Sequence, residues 1–303
     1  MKNKKKLIVI TGPTGIGKTA ISLYLNEAYN TSIISADSRQ IYKELTIGTA
    51  KPTPEEIASG NIKFVDFLSV TEDYNAGQFE KDAMIIITED HYRSDVSIVC
   101  GGTGLYIKAL TEGLDQFPNI PIEQVAQLET ELSEAGIESL QNRLKEKDPE
   151  QYANMDIDNP HRLIRALSII DYTGQAYSSF LGQDKVERPF EIINIVIDTE
   201  REIIYNRIEK RVDQMIEAGL IDEVKSMMAY RNLNALNTVG YKEVFAHLDG
   251  DYTLSTCVAE IKKNTRRYAK RQLTWLRKYN LGQRFLPSNI DKIKKYIDQR
   301  LLA

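Results

Sequence analysis

The first candidate reactive residues of the chain stand at position 12 and just after it. In LIVITGPTGIGKTA, a run of apolar β-formers, Leu7 to Thr11, gives way to Gly12, Pro13, Thr14, Gly15, Ile16, Gly17, Lys18 and Thr19. This is the spelling of a phosphate-binding loop, in which backbone N–H groups and a helix dipole cradle phosphate oxygens. Lys18 would reach the terminal phosphates, and the Thr19 hydroxyl would ligate Mg²⁺. Ala20, Ile21, Leu23, Tyr24, Leu25 and Ala28 recur at helical spacing across 18–29, so the loop has the strand before it and the helix behind it that the motif requires. Nothing in those eight residues reads an adenine. The loop alone leaves open whether it holds ATP or another pyrophosphate compound.

Thr31–Ser35 reads as a second short buried strand, with Ala36, Asp37, Ser38, Arg39 and Gln40 as the polar turn at its C-terminal end. In open parallel sheets that edge is where ligands bind. Asp37 is a candidate general base there, the alternative being an Asp that only caps its own turn. A third strand, Ser97–Cys100, runs straight into Gly101, Gly102, Thr103 and Gly104, with 105–110 helical behind it. An enzyme of phosphoryl transfer would be expected to end such a strand in an Asp for Mg²⁺, and this one ends in glycines. Both strand–glycine–helix junctions should open on the same edge of the sheet.

Positive charge gathers late in the chain. From Ile261 to Lys278 there are eight basic residues and no acid: Lys262, Lys263, Arg266, Arg267, Lys270, Arg271, Arg277 and Lys278. On a helix most of them share one stripe, while Val258, Ile261, Tyr268, Ala269 and Leu276 share another. An acid-free stretch of this density predicts an anion-facing surface, against the blander expectation of a solvated face balanced by acids elsewhere. Tyr268 and Trp275, inside a helix that must bury one side, are expected in the core, the alternative being that either ring stacks on a nucleic-acid base.

The elements that must position these residues follow from periodicity. Lys63–Leu68 is another possible strand, 76–92 is helical, and between Pro121 and about Tyr177 only helical stretches occur. Strand character returns at Phe190–Ile197, and helices follow at 200–218, 221–230, 241–248, 253–278 and 290–302. The expected fold class is α/β: a P-loop NTPase-like parallel sheet flanked by helices, built from 1–114 and 188–303, with an all-helical insertion domain at 115–187.

With 303 residues, 42% hydrophobic and 27% charged, and a net charge of −4, the chain falls in the globular class and can bury a sizeable core. The apolar run behind MKNKKK is too short for a signal peptide or a membrane span, so a cytoplasmic protein with no membrane contact is expected. Cys100 and Cys257 lack metal-site or CxxC spacing and are expected to be reduced core thiols.

Taken in order along almost the whole chain, GPTGIGKT (12–19), SADSRQIYKELTIGTAKP (35–52), GGTGLYIKALTEGL (101–114), NPHRLIRAL (159–167), TGQ (173–175), RIEKRVDQMIEAGLIDEV (207–224), VGYKEV (239–244) and TRRYAKRQLTW (265–275) closely resemble the tRNA dimethylallyltransferases, or isopentenyltransferases. The bacterial type is the better comparison, since nothing after Arg277 resembles the zinc-finger-like extension of eukaryotic relatives. The resemblance implies transfer of a five-carbon group from dimethylallyl diphosphate to N6 of the adenosine 3′ of the anticodon, with the loop gripping the diphosphate and no ATP hydrolysed. It implies a base role for Asp37, a diphosphate contact for Arg211, and a place beside the acceptor adenosine for Thr103. The acceptor's surroundings would be held by Asp37, Ser38, Arg39 and Gln40 and by His161, Arg162, Leu163, Ile164 and Arg165. Lys263, Arg267, Lys270 and Arg271 would meet the anticodon stem-loop of tRNA. A monomer is expected. At Lys63-Phe64 the chain departs from the His pair or His-Arg that many members carry, and the insertion resembles the family only loosely before Asn159.

Three rivals keep the same loop, one of them a non-catalytic RNA-binding protein in which it is a relict, against which the intact Lys18, Thr19 and Asp37 weigh. An adenylate isopentenyltransferase would prenylate a free adenine nucleotide and would need neither the helical insertion nor the cationic helix. A P-loop small-molecule kinase would use Asp37 to deprotonate a hydroxyl and would release ADP.

Overall fold

A computed structural model describes residues 4–182, 186–279 and 282–302. The opening Met1–Asn3 of the basic leader and residues 183–185 of the expected insertion lie outside them. In chain order the elements are β1 (Lys6–Thr11), α1 (Lys18–Tyr29), β2 (Ile33–Ala36), α2 (Pro54–Ser59), β3 (Ile62–Lys63), α3 (Ala76–Arg93), β4 (Val96–Gly101), α4 (Gly104–Glu112), α5 (Ile122–Ala135), α6 (Ile137–Lys147), α7 (Pro149–Asn154), α8 (Pro160–Thr173), β5 (Glu191–Ile197), α9 (Arg201–Glu217), α10 (Leu220–Ser226), α11 (Tyr241–Leu248), α12 (Leu254–Lys278), β6 (Gln283–Phe285) and α13 (Ile290–Leu301). The chain divides into two compact units, 1–112 with 187–303, and 113–186.

The first unit holds a six-stranded, all-parallel sheet in the order β3-β2-β4-β1-β5-β6. Leu7, Ile8, Val9 and Ile10 of β1 are fully buried, as expected of a central strand covered by helices on both faces. The chain passes from β1 over to β2 and returns through β4 between them, so the order reverses beside β1, the place where open α/β sheets bind ligands. Register aligns the strand ends that matter: Gly101 of β4 is the partner of both Thr11 of β1 and Ala36 of β2. The two glycine junctions and the Asp37 turn therefore leave the sheet side by side at one edge.

The possible strand at Lys63–Leu68 is corrected. Only Ile62 and Lys63 pair with β2, because Phe64 and Asp66 take positive φ of 61° and 57° and turn the chain away. Phe67 and Leu68 instead donate their N–H groups to the Ile41 carbonyl.

The second unit contains no strand among its described residues, and α5 to α8 pack about their own core of Leu128, Leu140, Leu144, Leu163 and Leu167. Asn159 caps α8 by accepting from the Arg162 N–H at 3.3 Å, with Pro160 at the first helical position, where its missing N–H costs nothing. Gly174 ends that helix in the left-handed region.

No helix among the described residues is long and apolar enough to cross a membrane.

Candidate active site at the sheet edge

The loop between β1 and α1 is held open from three directions. Gly15 and Gly17 sit at φ of 80° and 99°, a region glycine enters without strain, which lets the loop turn its amides inward before α1 starts. Gly12 is pressed against β5; a Cβ there would stand 2.7 Å from the Ile197 carbonyl oxygen. Arg207 on α9 donates to the Ile16 carbonyl at 2.9 Å. Ile16 itself is fully buried, so its backbone N–H is what it can offer a ligand, and Pro13, which has no N–H, lends its carbonyl to the Lys18 ammonium.

Lys18 folds back over the loop, its ammonium donating to the carbonyls of Gly12 and Pro13 at 3.0 Å each. Burial lowers its pKa from the ordinary lysine value, and Arg211 pushes the same way, while Cys100 and Asp37 oppose them. Arg211, one turn after Arg207 on α9, lines the same cleft and makes no hydrogen bond or ion pair among the described residues. Burial depresses its pKa too. Two cations thus stand at one cleft without a carboxylate partner, an arrangement costly in a protein alone and favourable once an anion arrives.

The cleft, about 290 Å³, is lined by the loop residues Thr14, Gly15, Gly17, Lys18 and Thr19, by Asp37 and Gln40 at the tip of β2, by Cys100, Gly101 and Gly102 at the tip of β4, and by Arg211, Tyr268 and Gln272. Asp37 closes its own turn and keeps one carboxylate oxygen clear of it. One carboxylate oxygen, Oδ1, accepts from the N–H groups of Arg39 (2.9 Å) and Gln40 (3.3 Å), closing the turn, while the other makes no hydrogen bond among the described residues. The Thr103 hydroxyl accepts from the Ser38 N–H at 3.0 Å, so it ties the second glycine junction to the Asp37 turn instead of capping α4. Arg39 reaches the Asn237 carbonyl at 3.4 Å.

A smaller hollow of about 110 Å³ shares Thr14, Asp37, Arg211 and Tyr268 with this cleft and is walled by Ile208, Val212, Met215, Val239 and Ile261. It offers apolar surface within reach of both the loop and the carboxylate.

Three further residues of the cleft were not evident from the sequence. Gln272 spans the two glycine junctions: its carbonyl accepts from the Thr14 N–H at 2.9 Å and its amide donates to the Gly102 carbonyl at 3.0 Å. A polar residue among the buried positions Ala269, Leu273 and Leu276 was the available signal. Tyr268, expected in the core, is 36% exposed and lies at the cleft, where burial of its hydroxyl raises the pKa to about 12. Cys100 is a free thiol at the cleft wall rather than deep in the core, and its pKa is raised by burial. Trp275 is half-buried with its ring over Gly104, where a Cβ would stand 2.4 Å from it.

The cationic run is divided by the fold. Lys262 pairs with Asp213 at 2.6 Å, Lys263 with Glu260 at 2.6 Å, and Arg266 with Glu209 at 2.5 Å. Lys263 is therefore neutralised by an acid one residue before the acid-free stretch begins. Arg267, Lys270, Arg271, Arg277 and Lys278 are exposed and form no ion pair among the described residues. In the second unit His161, Arg162 and Arg165 are exposed, whereas Leu163 and Ile164 are 0% and 7% exposed. Those two side chains belong to that unit's core, which corrects the expectation that they meet a ligand.

A parallel sheet with a phosphate loop, two unpaired cations and a carboxylate at the adjoining strand tip defines an enzyme of group transfer from a phosphorylated donor. The chain belongs to the IPP transferase family, whose model matches residues 40–279. It is 52% identical over 272 residues to the tRNA dimethylallyltransferase of Christiangramia forsetii, covering 90% of each chain, and 46% identical over 297 residues to that of Cytophaga hutchinsonii, covering 98% of each. The solved tRNA isopentenylpyrophosphate transferase of Bacillus halodurans superposes with a TM-score of 0.73 at 35% identity, covering 98% of this chain and 97% of that one. A eukaryotic dimethylallyltransferase acting on tRNA superposes with a TM-score of 0.80 at 26% identity, covering 99% of this chain and 78% of that one. The family model's match begins after the phosphate loop and Asp37, so those rest on their own motif and geometry.

Proposed function

We propose that the protein transfers the dimethylallyl group of dimethylallyl diphosphate to N6 of adenosine 37, just 3′ of the anticodon of tRNA, releasing diphosphate. The observation that carries this reading is the meeting, across one cleft, of Lys18 and Arg211, neither in an ion pair among the described residues, with Asp37. The exocyclic amine of adenine is a poor nucleophile because its lone pair is delocalised into the ring. Asp37, through the carboxylate oxygen not spent on its turn, accepts the amine proton as the C–N bond forms. The allylic C–O bond breaks with its electron pair going to the departing diphosphate, whose growing charge Lys18, Arg211 and the loop amides stabilise. The apolar hollow beside Asp37 and Arg211 suits the five-carbon group.

Thr19, in the first turn of α1 and at the cleft, fits Mg²⁺ as a single protein oxygen. No cluster of three or more His, Cys, Asp and Glu suited to a metal occurs among the described residues, in keeping with an ion held chiefly by phosphate oxygens and water. When bound it would supply charge neutralisation to the leaving group.

An anticodon-loop base is less constrained than a paired one and can be swung out to the cleft. Asp37, Ser38, Arg39, Gln40 and Thr103 would surround it, with Arg267, Lys270 and Arg271, and His161, Arg162 and Arg165 in the helical unit, contacting the phosphate backbone. A tRNA acceptor is in keeping with a cytoplasmic protein, and every residue invoked comes from one chain, so a monomer suffices.

The test offers the protein dimethylallyl diphosphate with either unmodified tRNA or AMP and asks by nucleoside mass analysis which acceptor gains the group. Gain on tRNA alone is expected. Gain on AMP would favour an adenylate isopentenyltransferase, and phosphorylation of a small alcohol by ATP would favour a kinase.

A further inference from the structure

The segment Thr46–Ala50, which contributes Thr49 and Ala50 to the cleft wall, is held from outside the cleft by one carboxylate. Glu223 on α10 accepts from the N–H groups of Thr46 (3.0 Å), Ile47 (2.7 Å) and Gly48 (2.9 Å), and from the Tyr241 hydroxyl at 2.6 Å. Tyr241 is fully buried, and Gly48 lies so close to its ring that a Cβ would stand 2.4 Å from a ring carbon. The segment is thereby fixed both by hydrogen bonds and by contact. Inside the cleft, its Thr49 and Ala50 carbonyls accept from the Gln40 side-chain amide at 3.1 and 3.2 Å. The Gln40 backbone N–H in turn donates to Asp37 Oδ1 at 3.3 Å.

We infer that Glu223 is a positioning residue for Asp37, acting through the 46–50 segment and Gln40; this rests on the proposed base role of Asp37. Four donors converge on the two oxygens of Glu223, a demand that a carboxylate meets and an amide does not, because the NH₂ of a glutamine would face another donor. A near-isosteric replacement therefore breaks the clamp with almost no change in volume. The phosphate loop is not on this chain of contacts, so the grip on the donor's diphosphate is independent of it.

The test compares single-turnover prenyl transfer to unmodified tRNA in E223Q, D37A and the double variant. E223Q is expected to lower the rate by about tenfold or more, with the KM for dimethylallyl diphosphate within about twofold of the parent, as for a loss of orientation without loss of donor binding. The double variant is expected to be no slower than D37A alone, since a residue acting through Asp37 has nothing left to position. Losses that multiply, or a rise in donor KM with the rate unchanged, would overturn the inference. Should E223Q fail to fold, Y241F removes one donor and keeps the comparison: a smaller loss of rate that vanishes in the D37A background supports the inference, and one that persists there overturns it. A parent protein that moves no prenyl group would sink the proposed function itself, whereas an active parent matched by an equally fast E223Q would sink only the role of Glu223.

Discussion

The cleft edge and helix α12 are both rich in positive charge, and the fold treats them differently. At the edge Lys18 and Arg211 are drawn out of water without an ion pair among the described residues, and burial lowers the pKa of both. Along α12 the half-buried Lys262, Lys263 and Arg266 are each matched with an acid, while Arg267, Lys270 and Arg271 remain exposed and unmatched. Partly exposed pairs of this kind add only about 0–1 kcal/mol each to stability, so their main consequence is to cancel charge locally. Desolvated cations with no partner mark where an anion is bound tightly. Exposed ones with no partner mark where a polyanion is attracted over a distance.

That contrast is broken most directly at the cleft. Lys18→Ala should lower kcat/KM for prenyl transfer by roughly 10²–10³-fold with damage to donor binding as well as to turnover, as expected when a group stabilising developing charge is lost; steady-state kinetics with varied donor would check both parameters. Asp37→Ala should lower kcat by about 10²–10³-fold through loss of a general base while leaving donor affinity nearly unchanged. Equal loss of donor affinity would count against the division of labour between the two sides of the cleft.

Smaller effects are expected along α12. Replacing Lys270 and Arg271 together with alanine should weaken tRNA binding several-fold and flatten its salt dependence by about two units of slope, whereas replacing Lys262 and Arg266, already paired, should change it far less. Filter binding across a salt series distinguishes the two pairs. The least of the expected effects is in pH. Because burial lowers the Lys18 pKa, raising pH removes its proton earlier than from an exposed lysine, so donor affinity should fall along an alkaline limb and stay flat on the acid side of it. Calorimetry with Lys18→Ala should show that limb gone.

Much of the edge was legible because it is local in sequence. Strand, glycine loop and helix follow one another within 6–29, and α1 begins and ends where its apolar spacing says it should. The three-residue strand β6 is too short to carry periodicity, and α2 hides within a polar loop behind Pro54. Partners across long separations left no trace either. Gln272 meets Thr14 from 258 residues away, and Glu223 meets Ile47 from 176 away, so neither role follows from neighbouring residue types. Leu163 and Ile164 were grouped with Arg162 and Arg165 as one motif, but a helix sends successive residues to different faces, and only the charged ones face outward. The acids that pair three of the eight cations lie on α9 or, as Glu260, in α12 one residue before the run begins, which is why an acid-free run in sequence overstated its free charge.

The measurement closest to the central claim is a stoichiometry: diphosphate released per prenyl group gained by tRNA, in the parent protein and with no ATP present. The leaving-group role of the diphosphate in the glycine loop predicts one of each, with both falling together in Lys18→Ala. Prenyl transfer that requires ATP, or phosphate release without any gain of mass on tRNA, would contradict it.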